Sequence, residues 1–470
     1  MKQNMNSCML WLALNVLIGG YFAYAMLGPA SSAKGSLLPG ETTHGHYQIE
    51  LACNACHSPD ATLAANATIG PVMQDACNKC HQEQLELADD THPAIKFSDP
   101  TNAELLQTLD AQNCLTCHKE HVPEQTATMG LTVPSDYCWH CHQEIGETRP
   151  SHAKMSFDSC ATAGCHNYHD NRAIYERYLN EHFGEPDFFT TAILPGRNFA
   201  DVWNAENPDL KALHEADADS PESEPTDSKI LSDWAQTKHA AAGVNCSGCH
   251  TGTDAEEVTG WSDAVSLETC KTCHKQQTDS FLTGKHGMRL AQGLSPMTPA
   301  TARLEMHAGA AHKELNCTAC HQDHRFDTQF AAAEACQGCH ADSHSLSYDD
   351  SSHADLWRQE LAGDLPAGSG VSCASCHLPR MTDGDAVWVN HDQNAGLRPN
   401  ETMARQVCQS CHGLEFSLSS LADPALLQTC YDRPPTELTD SVQMAHDWFE
   451  QQRIKKELRA KQRAEKRKPK

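Results

Sequence analysis

The sequence predicts a fold of mostly short α-helices and loops with little β-structure, wrapped around something other than an apolar side-chain core. Three observations predict it. Only 39% of the 470 residues are hydrophobic and 6% are aromatic, too few for an ordinary core in a chain this long. Cysteine and histidine are abundant instead, at 24 and 29 residues. The two types also recur together, as two cysteines three apart followed at once by a histidine, all the way from Cys53 to His412.

Each such unit is the attachment signature of a c-type haem. The two thiols add to the two haem vinyl groups, and the histidine that follows turns its imidazole onto the iron from the same side. Ten units are plain: Cys53, Cys56 and His57; Cys77, Cys80 and His81; Cys114, Cys117 and His118; Cys138, Cys141 and His142; Cys246, Cys249 and His250; Cys270, Cys273 and His274; Cys317, Cys320 and His321; Cys336, Cys339 and His340; Cys373, Cys376 and His377; Cys408, Cys411 and His412. An eleventh, Cys160, Cys165 and His166, has four residues between its cysteines, and the small Ala161, Ala163 and Gly164 allow that loop to bulge. About eleven covalent haems c are therefore expected, and the macrocycles themselves become the core. Paired cysteines are also zinc ligands, but zinc asks for no histidine directly after every second cysteine. With 29 histidines in 470 residues, eleven such coincidences are excluded. A chain whose core is its cofactor should be largely unfolded without it.

The motifs use 22 of the 24 cysteines, leaving Cys8 and Cys430 at opposite ends, so no disulfide framework is expected. Formal net charge is −27, which excludes nucleic acid as a natural partner and favours basic or metal-bearing partner faces. Arg453 to Lys470 run against this trend, with ten Lys or Arg against Glu457 and Glu465.

Taken in order, residues 1–35 form an export signal or a signal anchor. Met9 to Gly28 run apolar and uncharged, a length that favours an uncleaved membrane anchor, although Ala23-Tyr24-Ala25 and Ser31-Ser32-Ala33 resemble cleavage sites. Either way the haem region lies across a membrane, in the periplasm. Residues 36–182 form a five-haem domain, ending in an amphipathic helix over Asp170 to Phe183. Residues 183–235 are a haem-free linker, acidic and rich in Ser and Pro from Glu215 to Asp227, whose Phe188, Phe189, Phe199 and Trp203 cover haem edges or offer a docking surface. Residues 236–415 form a six-haem domain. Residues 416–450 read as helix, a turn at Pro434-Pro435 and a helix from Thr436, and residues 451–470 as a basic tail that is either a solvated helix end or a contact for anionic lipid or an acidic partner. The first cysteines of motifs step by 24 residues from Cys53 to Cys77, Cys114 to Cys138 and Cys246 to Cys270, an internal repetition that predicts modular stacking.

Each iron needs a sixth ligand, and eighteen histidines lie outside the motif ends. They fall at recurring offsets. His121, His169 and His324 follow a motif histidine by three; a side chain so close starts on the wrong face of its own haem and should serve a neighbour. His92, His152, His286, His353 and His391 follow a motif by 10 to 14 residues, and His46, His239 and His312 precede one by five or seven. These eleven are the expected sixth ligands. His44, His182, His307, His344 and His446 are substitutes.

These residues resemble the multihaem c-type cytochromes, especially the bis-histidine proteins of the cytochrome c3/c7 kind, over Cys53 to His412. The resemblance implies short helices and loops, closely spaced haems of low potential, and variants with four residues between the cysteines. The implied function is an electron relay between a membrane quinol-oxidising donor and a terminal reductase or a periplasmic or outer-membrane acceptor. A second class, resembling multihaem nitrite reductases and hydroxylamine oxidoreductases, keeps one iron open for a nitrogen or sulfur-oxyanion substrate. Because only His446 lies close downstream of Cys408–His412, that site is the expected open one. A third class, a haem-wire subunit that polymerises, is disfavoured by an N-terminal anchor.

Overall fold

The computed structural model describes the chain except residues 1, 28–37, 58–68, 88–91, 93–96, 109, 123–130, 135–136, 156, 158–159, 161–167, 170–177, 179–180, 225–226, 252–259, 398–400 and 467–470. It is 53% helical with 3% strand, as the composition predicts. Two compact units are present. The first comprises Met1–Gln84, Ala94–Pro134 and Arg289–Ser295, and carries the motifs that end at His57, His81 and His118. The second comprises Leu85–Pro93, Ser135–Met288 and Pro296–Lys470, and carries the motifs from Cys138 onward.

In the first unit α1 (Lys2–Leu27) is the apolar N-terminal run, and its side chains from Met9 to Phe22 are exposed, Leu17 at 71%. Among the described residues no helix is long and apolar enough to cross a membrane; the expected anchor over residues 9–28 ends on Gly28, outside them. Helix α2 (Ile69–Leu87) embeds Cys77, Cys80 and His81 in continuous helix.

In the other described motifs the unit is a single helical turn. The histidine N–H donates to the carbonyl of the first cysteine at 2.8 Å in Cys53–His57 and Cys408–His412 and at 2.9 Å in Cys114–His118, Cys246–His250, Cys270–His274 and Cys336–His340. One turn of this kind brings residues three and four apart onto one face, which is what two thioethers and an axial imidazole on one macrocycle need. The residue before the first cysteine caps the turn: Asn113 accepts from Leu115 N–H, Asn316 from Ala319 N–H, and Ser372 from Ser375 N–H.

In the second unit α3 (Ser352–Ala362) starts on Ser351, whose hydroxyl accepts from Ala354 N–H, and stops at Gly363 in the left-handed region. The antiparallel pair β1 (Arg380–Asp383) and β2 (Ala386–Val389) is joined through Gly384 at φ 56°, a tight hairpin that requires a residue tolerant of that backbone. Apolar packing is concentrated where α4 (Glu401–Gln406), α5 (Leu414–Ala422) and α6 (Asp440–Lys466) meet. Met403, Ala404, Val407, Leu414, Leu418, Leu421 and Val442 are buried together there, with Cys376 and Cys408 packed against them. Helix α6 begins four residues later than Thr436 because Thr439 caps it, accepting from Val442 N–H. From Glu450 to Arg463 it is exposed. Most of the helix expected over Asp170 to Phe183 lies outside the described residues.

Candidate functional site

Nine histidine pairs organise the described structure. In unit one His46 faces His81 and His57 faces His121, with ring centroids 5.9 and 6.5 Å apart. In unit two His92 faces His142 at 6.0 Å, His239 faces His274 at 5.8 Å and His250 faces His324 at 5.8 Å. His286 and His340, His321 and His391, and His353 and His412 stand 6.3 Å apart, and His344 and His377 stand 6.1 Å apart. Every pair joins one motif histidine to one histidine outside the motifs, a selectivity that incidental ring packing would not produce.

The spacing fits an iron. An imidazole nitrogen lies about 1.2 Å from its ring centroid and binds a metal at about 2.0 Å, so two imidazoles on opposite sides of one metal hold their centroids about 6.4 Å apart. The tautomers fit as well. His121 Nδ1 meets Gly40 O at 2.8 Å, His92 Nδ1 meets Tyr168 O at 3.0 Å, His391 Nδ1 meets Val389 O at 2.9 Å, and His344 Nδ1 meets Leu427 O at 2.5 Å. On the motif side His250 Nδ1 meets Ser262 O at 2.9 Å and His412 Nδ1 meets Asp187 O at 3.0 Å. A carbonyl accepts only from N–H, so these rings carry their proton on Nδ1 and keep Nε2 free for a metal. Burial holds His239, His286, His321, His353 and His377 down to about 4, leaving neutral imidazoles at neutral pH. Among the described residues no three or more His, Cys, Asp or Glu side chains converge on a metal, and no disulfide joins the described cysteines. Buried Cys430 stays a thiol.

Local structure explains the pairing. His121 and His324 both have φ above 60°, a left-handed turn straight after their motifs that sends each ring to the motif two places earlier. Gly40 is required beside His121, because a Cβ there would lie 2.5 Å from the His121 carbonyl oxygen. The β1–β2 hairpin carries His391, whose N–H donates to Ser280 Oγ at 2.9 Å, and the first turn of α3 carries His353. Phe188 lies edge-on to His412 and Phe199 lies against His274, both at 4.9 Å, so these two aromatics cover imidazoles of the site.

One expectation differs from the structure. His312 is exposed and is not brought opposite a motif histidine; His344, four residues after His340 in the turn Ser343–Ser347, stands opposite His377 instead. The rule that sends His121 and His324 to neighbouring sites applies equally to His344, and would have found it. At the last motif, the candidate open site of the enzyme reading, His353 faces His412 while His446 Nε2 bonds Glu415 at 3.1 Å. His152 is half-buried, and burial lowers its pKa. His169 is exposed at the ring of Tyr168. Cys165 and His166 lie outside the described residues.

Consecutive motifs meet through their cysteines. Cys77 and Cys114, Cys138 and Cys160, Cys270 and Cys317, and Cys336 and Cys373 lie close enough for their thiols to perturb one another, in each case the first cysteines of successive motifs.

Thiol pairs on helical turns, each followed by a histidine and nine of those histidines facing a second imidazole, are the features of a multihaem c-type cytochrome, a class in which covalent haem c passes electrons. A family model described as cytochrome c3 matches residues 45–143 and 238–341, two regions that each hold four motifs. Over those regions the chain is similar to cytochrome c3, which supports the same class and agrees with the internal repetition. No curated protein matches the chain.

Proposed function

We propose that this chain is a periplasmic electron relay of eleven bis-histidine haems c, tethered to the inner membrane by residues 9–28. It carries electrons from a membrane quinol-oxidising donor to a terminal reductase or to a periplasmic or outer-membrane acceptor. The observation that carries the reading is the pairing of nine motif histidines with nine others at 5.8 to 6.5 Å. Bound haem supplies one-electron redox chemistry at low potential when both axial ligands are histidine. The chain's own part is to fix each macrocycle by two thiols, to present Nε2 from both sides and to keep the imidazoles neutral. We propose His152 and His169 as the other two sixth ligands.

The approach of first cysteines within four pairs of successive motifs supports electron transfer between the two members of each pair. The exposed apolar side chains of Met9 to Phe22 support the tether, being a surface that lipid would cover. The opposed pair at the last motif favours a relay over an enzyme with an open iron there. Pyridine haemochrome against protein concentration should give about eleven haems per chain, the count of attachment motifs. Membrane fractionation should find the intact protein with the inner membrane, and replacing residues 1–35 by a cleavable export signal should release it into the soluble periplasm. A count of four or fewer, or an unchanged fractionation, would contradict the relay or the tether respectively.

A further inference from the structure

The two regions matched by the family model contain equivalent histidines whose outer faces differ. His46 and His239 each lie seven residues before the first cysteine of their region, and each faces the histidine of the second motif, His81 or His274. Two residues after the third motif histidine stand Glu120 in one region and Asp323 in the other. The Glu120 carboxylate accepts from His46 Nδ1 at 2.6 Å and is itself held by Thr43, whose N–H donates at 2.7 Å and whose hydroxyl donates at 3.0 Å. In the second region Asp323 is one methylene shorter and exposed. His239 Nδ1 is buried with no hydrogen-bond partner among the described residues, and Phe326 lies edge-on at 4.5 Å. Gln236, at the position of Thr43, bonds back to Ser232 within its own helix.

We propose that Glu120 is a positioning residue that sets the Cys77–His81 haem at a lower potential than its counterpart at Cys270–His274. A carboxylate accepting from Nδ1–H makes the imidazole a stronger donor at Nε2 and fixes its orientation, which favours ferric over ferrous iron. An imidazole whose Nδ1–H faces an aromatic edge is a weaker donor and favours ferrous iron. Electrons shared between the two equivalent sites therefore rest on the second. The chain duplicates a haem arrangement but grades it, and the grading needs only Glu in one copy and Asp in the other. This inference rests on the haem reading of the His46 and His81 pair.

The test is an EPR-monitored redox titration of the full holoprotein. Glu120→Gln keeps a hydrogen-bond acceptor and removes the charge; Glu120→Asp copies the second region and serves where the amide variant gives too little holoprotein. Each should keep the full haem count and low-spin spectrum while one component shifts to higher potential, by roughly tenfold in its reduction equilibrium or about 59 mV for one electron. Unshifted components in a fully loaded, low-spin variant would overturn the role of Glu120 and leave the haem reading standing. His46→Ala separates the two failures: one high-spin ferric iron confirms the site on which the inference rests, and an unchanged low-spin spectrum overturns both.

Discussion

His353 stands opposite His412 with ring centroids 6.3 Å apart, carried there by the first turn of a helix that Ser351 caps. His353→Ala should therefore convert one low-spin ferric haem to high spin and create a binding site for nitrite or cyanide. His353→Met should stay low-spin but raise the potential of that haem, since methionine in place of histidine has that effect. EPR of the oxidised variants reads both.

His344 and His312 separate what the structure shows from what spacing suggests. His344→Ala should produce one high-spin iron, at the His377 site, whereas His312→Ala should leave the spectrum unchanged because His312 is exposed. The reverse result would restore the ligand that spacing favours.

Leu414 is 1% exposed and packs with Met403, Leu418 and Val442 beside the attachment cysteine Cys408. Leu414→Ala should cost about 2–5 kcal/mol locally, the usual range for a buried leucine. The loss should appear as faster proteolysis and hydrogen exchange between α4 and α6, with the haem count unchanged.

Asp423 caps the turn Pro424–Gln428 and reaches Arg433 at 3.1 Å. Desolvation alone would raise its carboxyl, but hydrogen bonds from Leu426 N–H, Arg433 and Ala425 N–H outweigh it and hold the carboxyl below the ordinary value of 3.8. A depressed carboxyl contributes stability that is complete above the unfolded value and is lost as pH falls through the lower folded value. Protection of the Leu426 amide, corrected for intrinsic exchange, should fall as pH drops below about 4, and Asp423→Asn should remove that acid step. Because Leu427 O accepts from His344 Nδ1, the same acid step should loosen the His377 site.

Much of this was legible in the sequence. The motif fixes both cysteines and the motif histidine because attachment chemistry leaves no other spacing, and low aromatic content already excluded a conventional core. Offsets single out His46, His92, His121, His239, His286, His324, His353 and His391 because each repeat reuses one local turn, and each of these rings lies across from a motif histidine. They did not say which histidine faces which. His121 crosses to His57, and His391 rides a hairpin to His321, pairings set by left-handed turns and tertiary packing that no spacing encodes. Distance from a cysteine favours His312, whereas the short helix after Asp342 carries His344 across from His377. The carboxylate on His46 was illegible for a similar reason, since Glu120 lies 74 residues away in the chain.

The most direct test of the central claim is an EPR spectrum of the fully oxidised protein, with haem quantified on the same sample. The account predicts about eleven haems, one for each attachment motif, all low-spin ferric, because nine motif histidines face a second histidine and His152 and His169 are proposed for the other two. A stoichiometric high-spin signal, shifted by nitrite, hydroxylamine or sulfite, would contradict it and identify an enzyme with an open iron.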